Sequence, residues 1–185
     1  MNQPKETKPT DVYAVFAGAI DQDASQRISR AIAVATQEGV KTLHILLQST
    51  GGFIGDGIFL YNFFRSSPIN IALYNAGSVQ SVATIAFLGA KIRKANAHAT
   101  FMLHRAYVSP QGATTDRLKA AVESLLLDEQ RMEDILSIHT KIPADKIGIH
   151  KHSDIWFTAK EAVEYGFATE VGDFAPPVGA QIYSL

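Results

Sequence analysis

Cysteine is absent from the 185-residue sequence, so the chain has no thiolate nucleophile, no disulfide bond and no thiolate ligand for a metal. Net charge is also nearly absent, at −1 at pH 7, which leaves no positive field to attract nucleic acids. No apolar run approaches the ~20 residues that cross a bilayer. The polar first ten residues lack the apolar core of a signal peptide. We therefore predict a cytoplasmic protein with neither a membrane nor a nucleic-acid partner.

Charged residues are scarce as well, at 19% against about a quarter in average proteins, which favours a surface partly covered by other subunits. The length suits one domain. Residues 1–11 are predicted to be a flexible N-terminal tail, because the first ten are polar and include two prolines. A second tail, 176–185, begins with a Pro-Pro pair. The single domain is predicted to span 12–175, where neither a repeat nor a linker interrupts the chain.

Apolar patterning in the first half of the chain alternates between strand and helix. Short apolar runs at 12–20, 42–48 and 69–74 predict buried strands. Between them, apolar residues at helical spacing follow Asp21 and then the Gly51-Gly52 turn. Strands that alternate with helices indicate right-handed crossovers and a mostly parallel sheet in an α/β fold.

The second half is predicted to begin with a glycine turn at Gly77. A short helix at 81–88 and two short strands, near 92 and at 101–104, follow it. The longest helix is predicted at 115–139, and a capping box at Thr158-Ala-Lys-Glu161 starts the last one. At ~1.5 Å per residue the long helix reaches ~37 Å, more than a domain of this size covers. We expect part of its apolar side to be buried by a partner.

Residues that could take part in catalysis or binding follow three of the predicted strands. Open α/β sheets bind their ligands at the ends of their strands. Gly51-Gly52 is either a tight turn or a pair of accessible amides, and Ser81 is either a helix N-cap or a nucleophile. His104 is either a core residue or a general base, and Asp154 is a loop carboxylate when considered alone. Together, Ser, His, Asp and a glycine pair are the components of nucleophilic acyl transfer.

Two other kinds of site, a metal site and a Ser-Lys dyad, have weaker support in the sequence. His150, His152 and Asp154 form a cluster that could hold a metal, but they lack the HExxH spacing and a second ligand group. Lys91 or Lys94 could serve as the base of a Ser-Lys dyad, although nothing singles out either one.

Several motifs resemble the proteolytic subunit of the Clp protease, a self-compartmentalising serine peptidase. The Gln48-Ser-Thr-Gly-Gly52 turn is similar to the family's Asn-Ser-Pro-Gly-Gly turn, and Gly77-Ser-Val-Gln-Ser-Val82 to its nucleophile motif. Phe101-Met-Leu-His104 is similar to the strand that carries the catalytic His. The run from Asp154 through Phe-Thr-Ala-Lys-Glu-Ala-Val-Glu-Tyr to Gly166 is the most specific match, and residues 112–116 and 131–140 resemble the two ends of the family's handle helix.

The resemblance implies a role for each matched residue. Ser81 would be the nucleophile, His104 the general base and Asp154 the residue that orients it, with the amides of Gly52 and Val82 as oxyanion donors. The substrate would contact four further residues: Gly51, Phe53, Arg105 and Ala106. The reaction would need neither a cofactor nor a metal.

The resemblance also implies an architecture. The family fold, shared with crotonases, is an α/β spiral of ββα units with a mostly parallel sheet and a long protruding handle helix. Two rings of seven subunits pair through these helices around a proteolytic chamber. ATP would enter only through an AAA+ unfoldase, and the missing axial loop and first helix argue against that partner. The spacing from Ser81 to His104 is also shorter than is usual in the family.

The expected function is therefore a serine endopeptidase that acts on unfolded polypeptides or short peptides. A catalytically inactive ring subunit that assembles with an active paralogue is the main alternative. A crotonase-type protein that binds an acyl-CoA is a further alternative, disfavoured because no basic run is evident for the CoA phosphates.

Overall fold

The computed structural model describes residues 10–150 and 152–185, except for the side chains of residues 149 and 150. Its strands are β1 (Asp11–Ala17), β2 (Thr42–Ser49), β3 (Asn70–Gln80), β4 (Ile92–Ala95), β5 (Thr100–Leu103), β6 (Ile155–Thr158), β7 (Glu170–Val171) and β8 (Ile182–Ser184). Its helices are α1 (Gln22–Gln37), α2 (Ile54–Ser66), α3 (Val82–Leu88), α4 (Thr115–His139), α5 (Ala144–His150) and α6 (Ala159–Glu164).

The strands form one sheet in the order β6-β5-β3-β2-β1-β8, with β4 paired to β3 and β7 paired to β4. Only β5 and β6 pair antiparallel among the described strands, so the predicted mostly parallel α/β sheet is confirmed. A sheet of this kind is buried by the helices of its crossovers. The largest fully buried side chains accordingly come from both strands and helices: Phe16, Phe87, Phe101, Phe157, Phe167, Ile20, Ile28, Ile32, Leu43, Ile45, Leu60 and Leu73.

Strand β3 corrects one prediction, because no turn forms at Gly77. The strand continues to Gln80, and its first part pairs with β4 while residues 78–80 pair with β5. The buried side chain of Asn75 lies at the change of partner: its Nδ2 donates to the Thr100 carbonyl at 2.8 Å, and its Oδ1 accepts from the Gly77 amide at 3.1 Å. These bonds satisfy the main chain where the ladder is interrupted, so β3 reaches Ser81 without a turn.

Both ends of the sheet region also differ from the predictions. Strand β1 ends at Ala17, and Ile20 forms a separate bridge to Gly52. The segment 176–185, predicted to be a tail, contributes β8, which pairs parallel with β1. The Leu185 amide donates to the Val15 carbonyl at 2.9 Å. Sequence patterning missed this strand because its three residues are too few to show a period.

Helix α4 has the predicted bounds and is 25 residues long. Within α4, only Ile135 and Leu136 are buried, both near its C-terminal end. The preceding turns expose large apolar side chains: Leu118, Val122, Leu126 and Leu127. A soluble monomer rarely leaves so many apolar groups together on one element, so this part of α4 is a candidate contact surface.

The capping box predicted at the start of α6 is present. Thr158 Oγ1 accepts from the Glu161 amide at 3.2 Å, and Glu161 Oε2 accepts from the Thr158 amide at 2.9 Å. Lys146 donates to Glu161 Oε1 at 2.5 Å, and these contacts lower the pKa of Glu161 to about 2 from 4.5. The capping box thus fixes the residue at which α6 begins. Helix α6 follows β6, the strand that comes directly after Asp154.

The Glu161 carboxylate is expected to stabilise the fold above about pH 4.5 and to lose this effect as the pH falls toward about 2, since its pKa is lowered in the folded state. Glu161→Gln should therefore lower the free energy of unfolding at pH 7, and the difference from the parent should shrink toward pH 3. Urea unfolding at pH 3, 5 and 7 measures this difference. Glu164→Gln, on the same helix but outside the capping box, is the control; a Glu161→Gln difference that stays constant with pH would contradict the assignment.

Candidate active site

Ser81 occupies a sharp turn between β3 and α3. It is the one non-glycine residue with positive φ in the described parts of the chain, at φ 53° and ψ −133°. Its amide donates to the Met102 carbonyl at 2.8 Å, and its hydroxyl caps no amide of α3. The hydroxyl therefore lacks the contact that an N-cap role requires. A strained serine between strand and helix is instead the geometry of an exposed nucleophile.

The Gly51-Gly52 turn packs directly against Ser81. A Cβ at Gly51, where φ is +92°, would lie 2.7 Å from Ser81 Cβ and 3.1 Å from its Oγ. A Cβ at Gly52 would lie 2.1 Å from the Ile20 carbonyl oxygen. Only glycine allows the chain to fit between Ile20 and Ser81, so the turn with the predicted oxyanion donor Gly52 is held beside the predicted nucleophile.

Val82, the second predicted oxyanion donor, is the first residue of α3. The amides of the first helical turn have no partner within their own helix. A close approach of α2 fixes the position of Val82, because a Cβ at Gly57 would lie 2.2 Å from Val82 Cγ2. Backbone groups from two turns, at Gly51-Gly52 and at Val82, are therefore fixed around Ser81.

One narrow pocket brings Ser81 together with three of the other predicted residues, His104, Arg105 and Ala106. Its remaining walls come from α3, β5 and α4: Ile85, Leu103, Glu129, Met132, Glu133 and Leu136. The open volume is about 20 Å³, room for a single water molecule. The pocket is thus nearly filled by its own side chains.

The His104 ring and the Asp154 carboxylate are not hydrogen-bonded to each other. The His104 Nδ1 lies 2.7 Å from the carbonyl oxygen of Arg105, in the position that a triad gives to the carboxylate. The Asp154 side chain is exposed and makes no hydrogen bond or ion pair with any described residue. The structure therefore brings together the predicted nucleophile and base, and leaves the predicted orienting residue apart.

The strand register nevertheless places Asp154 opposite His104. In the antiparallel pair of β5 and β6, Leu103 is opposite Ile155, the last pair of the ladder. One further pair in the same register joins His104 to Asp154. Residues opposite each other in such a pair have Cα atoms about 4.5–5.5 Å apart and side chains on one face. Lengthening the ladder by one pair would thus bring the two side chains together.

An ion pair closes the pocket on the side of α4. The Arg105 guanidinium donates to both carboxylate oxygens of Glu129, from Nε at 2.7 Å and from Nη2. These bonds, with the nearby charges of Glu129 and Glu133, raise the pKa of Arg105 above its usual value. Glu129, Met132 and Glu133 are site residues that the sequence analysis missed. Helical spacing along α4 places them on one face, but only the fold shows which face meets Ser81.

Phe53 lies elsewhere. Its side chain is 70% exposed, and it lines a separate cavity of about 480 Å³ with Asp21, Gln22, Asp23, Gln26 and Asp56. It follows the Gly51-Gly52 turn in sequence but does not line the pocket of Ser81. Its predicted contact with substrate therefore has no counterpart in that pocket.

The two alternative chemistries gain no support. Lys94 donates to Glu170 at 2.8 Å, which raises the pKa of Lys94, and neither it nor Lys91 lines the pocket. A lysine held charged in this way is unsuited to act as a base. The suggested metal cluster includes His150, whose side chain lies outside the described residues.

None of the helices in the described parts of the chain has the length and apolar character needed to cross a membrane.

The family model of the Clp protease matches residues 11–174, most of the chain. The chain belongs to the Clp protease family. Among curated relatives, the ATP-dependent Clp protease proteolytic subunit 2 of Corynebacterium glutamicum is 25% identical over 153 residues, 82% of this chain and 76% of that protein. The subunit 2 of Corynebacterium diphtheriae is also 25% identical, and that of Corynebacterium efficiens 24%, over the same shares.

Membership of the Clp protease family supports a hydrolase and a serine protease, with a peptide or protein as substrate. An identity of 25% marks a divergent member. The fold agrees with this assignment, since the described chain forms a mixed α/β structure with a mostly parallel sheet.

Proposed function

We propose that the chain is a serine endopeptidase that hydrolyses unfolded polypeptides or short peptides in the cytoplasm. The observation that carries the proposal is the strained Ser81, which packs against Gly51 and shares a pocket with His104. An N-cap role does not account for the backbone strain at this serine, because its hydroxyl caps no amide of α3. Its consequence is to direct Oγ toward the pocket.

The proposed reaction proceeds through an acyl-enzyme. His104 Nε2 accepts the proton of Ser81 Oγ as this oxygen bonds to the substrate carbonyl carbon, and the amides of Gly52 and Val82 stabilise the oxyanion. The C–N bond then breaks, and His104 returns the proton to the leaving amine. Water, deprotonated by His104, then bonds to the ester carbonyl carbon. The C–Oγ bond breaks, His104 returns the proton to Ser81 Oγ, and the acid is released. Asp154 holds the charged imidazole once the β5–β6 ladder is lengthened. Every group comes from this chain, without a cofactor or metal.

The substrate is proposed to bind as an extended strand between the segment after Gly52 and the segment after His104. Residues 104–110 belong to no helix or strand, so their main-chain groups, except the Arg105 carbonyl that contacts His104 Nδ1, are available to pair with a peptide. Phe53 belongs to the first segment and Arg105 and Ala106 to the second, while Gly51 lies in the turn that precedes the first. Folded substrates would need a separate ATP-driven unfoldase.

For the assembly, we propose a spiral of ββα units in which α4 is the handle helix that joins two stacked rings of seven subunits. The exposed apolar residues of α4 support the proposal. Leu126, near the middle of the helix, is 58% exposed, and Val122 and Leu118 lie one and two turns before it. A second copy of α4 would cover this face.

An inactive ring subunit is the second candidate. The observation that favours it is the bond between His104 Nδ1 and the Arg105 carbonyl, together with the separation of Asp154. If this arrangement persists in the assembled protein, no carboxylate stabilises the charged imidazole of His104 and Ser81 is not activated.

Active-site labelling separates the two candidates. We expect a fluorophosphonate to form an adduct on Ser81, found by peptide mass, because the reagent requires a serine activated by a base and oxyanion donors. Ser81→Ala should give no adduct, and Ser78→Ala, which removes a nearby hydroxyl outside the pocket, should label like the parent. Absence of the adduct in folded, assembled protein would favour the inactive subunit.

A charge on the exposed face of α4 is expected to prevent assembly. Leu126→Glu should shift the protein from ring oligomers to smaller species in sedimentation velocity, because burying an unpaired carboxylate opposes the contact. Val178→Glu, at a fully exposed loop position, is the matched control and should assemble like the parent. Parent protein that sediments as a monomer, or Leu126→Glu that assembles normally, would exclude α4 as the contact.

A further inference from the structure

We propose that the peptidase prefers a lysine or arginine side chain on the acyl side of the scissile bond, where the cationic group replaces the Arg105 guanidinium on Glu129 and lies near Glu133. This inference rests on the proposed function. The narrow pocket at Ser81 is the place where that side chain would bind, because the residue before the scissile bond is attached to the carbon that Ser81 attacks.

The walls of the pocket suit a long side chain with a charged end. Ile85, Leu103, Met132 and Leu136 provide apolar surface next to Ser81. The two carboxylates come from Glu129 and Glu133, one turn apart on α4. Lysine and arginine side chains place apolar stems along such surfaces while the charged group reaches polar partners.

The charges around the pocket do not balance. Arg105 is the one cation among the residues that line it, against two carboxylates. Arg105 makes its bonds to Glu129, and Glu133 acts on Arg105 through its charge without an ion pair. The lining thus has one net negative charge, which favours a cation over an anion of the same shape.

Entry of a substrate side chain requires Arg105 to move, since the open volume is only about 20 Å³. The Arg105 side chain is 43% exposed and can turn into water, whereas the Glu129 side chain is only 12% exposed. Removing the cation from a nearly buried carboxylate is strongly unfavourable unless another cation takes its place. A basic substrate side chain restores the pair, and a neutral one of equal length does not.

The test compares peptides that differ at one residue. A fluorogenic peptide with lysine before the scissile bond is measured against the same peptide with norleucine, which has the same number of side-chain carbons and no charge, and with glutamate. We expect kcat/KM for lysine to exceed that for norleucine by about tenfold or more, and glutamate to be the poorest.

Glu133→Gln tests the charge without disturbing the ion pair of Arg105 and Glu129. We expect it to reduce the ratio of lysine to norleucine severalfold, and Glu129→Gln/Glu133→Gln to bring the ratio near one. Glu123→Gln, at an exposed position of α4 outside the pocket, should leave the ratio unchanged. A ratio near one in the parent, or one unchanged by Glu133→Gln, would overturn the inference.

Labelling by a fluorophosphonate without a peptide reports whether Ser81 is activated, independently of any substrate preference. Protein that labels at Ser81 but shows no preference for lysine retains the proposed function and loses the substrate preference. Folded, assembled protein that does not label at Ser81 loses both.

Discussion

Asp154→Asn is expected to lower kcat for peptide hydrolysis by about 10⁴-fold, the size of effect that follows when the orienting carboxylate of a triad becomes an amide. The expectation depends on the register of β5 and β6, because Asp154 is opposite His104 once the pair after Leu103 and Ile155 is formed. An amide cannot stabilise the imidazolium, and it favours the wrong tautomer of the base.

The measurement is kcat on a peptide that the parent cleaves, with the circular dichroism spectrum as a check of folding. Asp145→Asn, an exposed carboxylate of α5 outside the pocket, should retain the parent rate. Asp154→Asn activity within about tenfold of the parent would show that the Arg105 carbonyl, which holds His104 Nδ1 in the structure, orients the base during catalysis.

Gly51→Ala is expected to lower kcat/KM by about 10²–10³-fold, the size of effect that loss of one oxyanion donor produces. The added methyl group would lie 2.7 Å from Ser81 Cβ and 3.0 Å from the Gln80 carbonyl oxygen, closer than such atoms approach. Either Ser81 or the Gly51-Gly52 turn must move, and the proposed attack requires both. The φ of +92° adds strain of about 1–2 kcal/mol for any residue other than glycine.

Gly39→Ala is the control that separates the effect of backbone strain from the effect of displacing Ser81 or the Gly51-Gly52 turn. Gly39 has a φ of +75°, but a Cβ there would meet nothing within 4 Å. Gly39→Ala should therefore lose stability in urea unfolding by about as much as backbone strain alone requires, and keep the parent kcat/KM. Equal activity losses in the two variants would mean that the turn at Gly51 acts through stability and not through its contact with Ser81.

The parallel β-α-β order was predictable because each element has enough residues to show a period. Strands β2 and β3 and helices α1 and α2 are all recognised from apolar spacing or turn residues, and α4 has the predicted bounds. The turn at Gly77 was wrong for a nonlocal reason: Asn75 bonds to Thr100, which lets β3 exchange one neighbouring strand for another. No local pattern contains that contact.

At the candidate site, residue types and order determined which chemistry was plausible. Ser81 and His104 were chosen because each follows a buried strand, and the fold brings both to one pocket. The family resemblance implied that Phe53 contacts the substrate as well, but its side chain does not line the pocket of Ser81, because the chain turns after Gly52 and leaves that side chain on a different surface.

By itself the sequence determined the fold class, the place of the strained serine and the family, since these depend on local periodicity, on glycine pairs and on linear motifs. The partners of His104 and Arg105 were decided by tertiary structure alone. Whether a carbonyl oxygen or Asp154 meets the His104 ring depends on one pair at the end of a strand ladder. The acidic wall of the pocket depends on how α4 packs against α3 and α2, and such contacts between distant segments follow from the whole core.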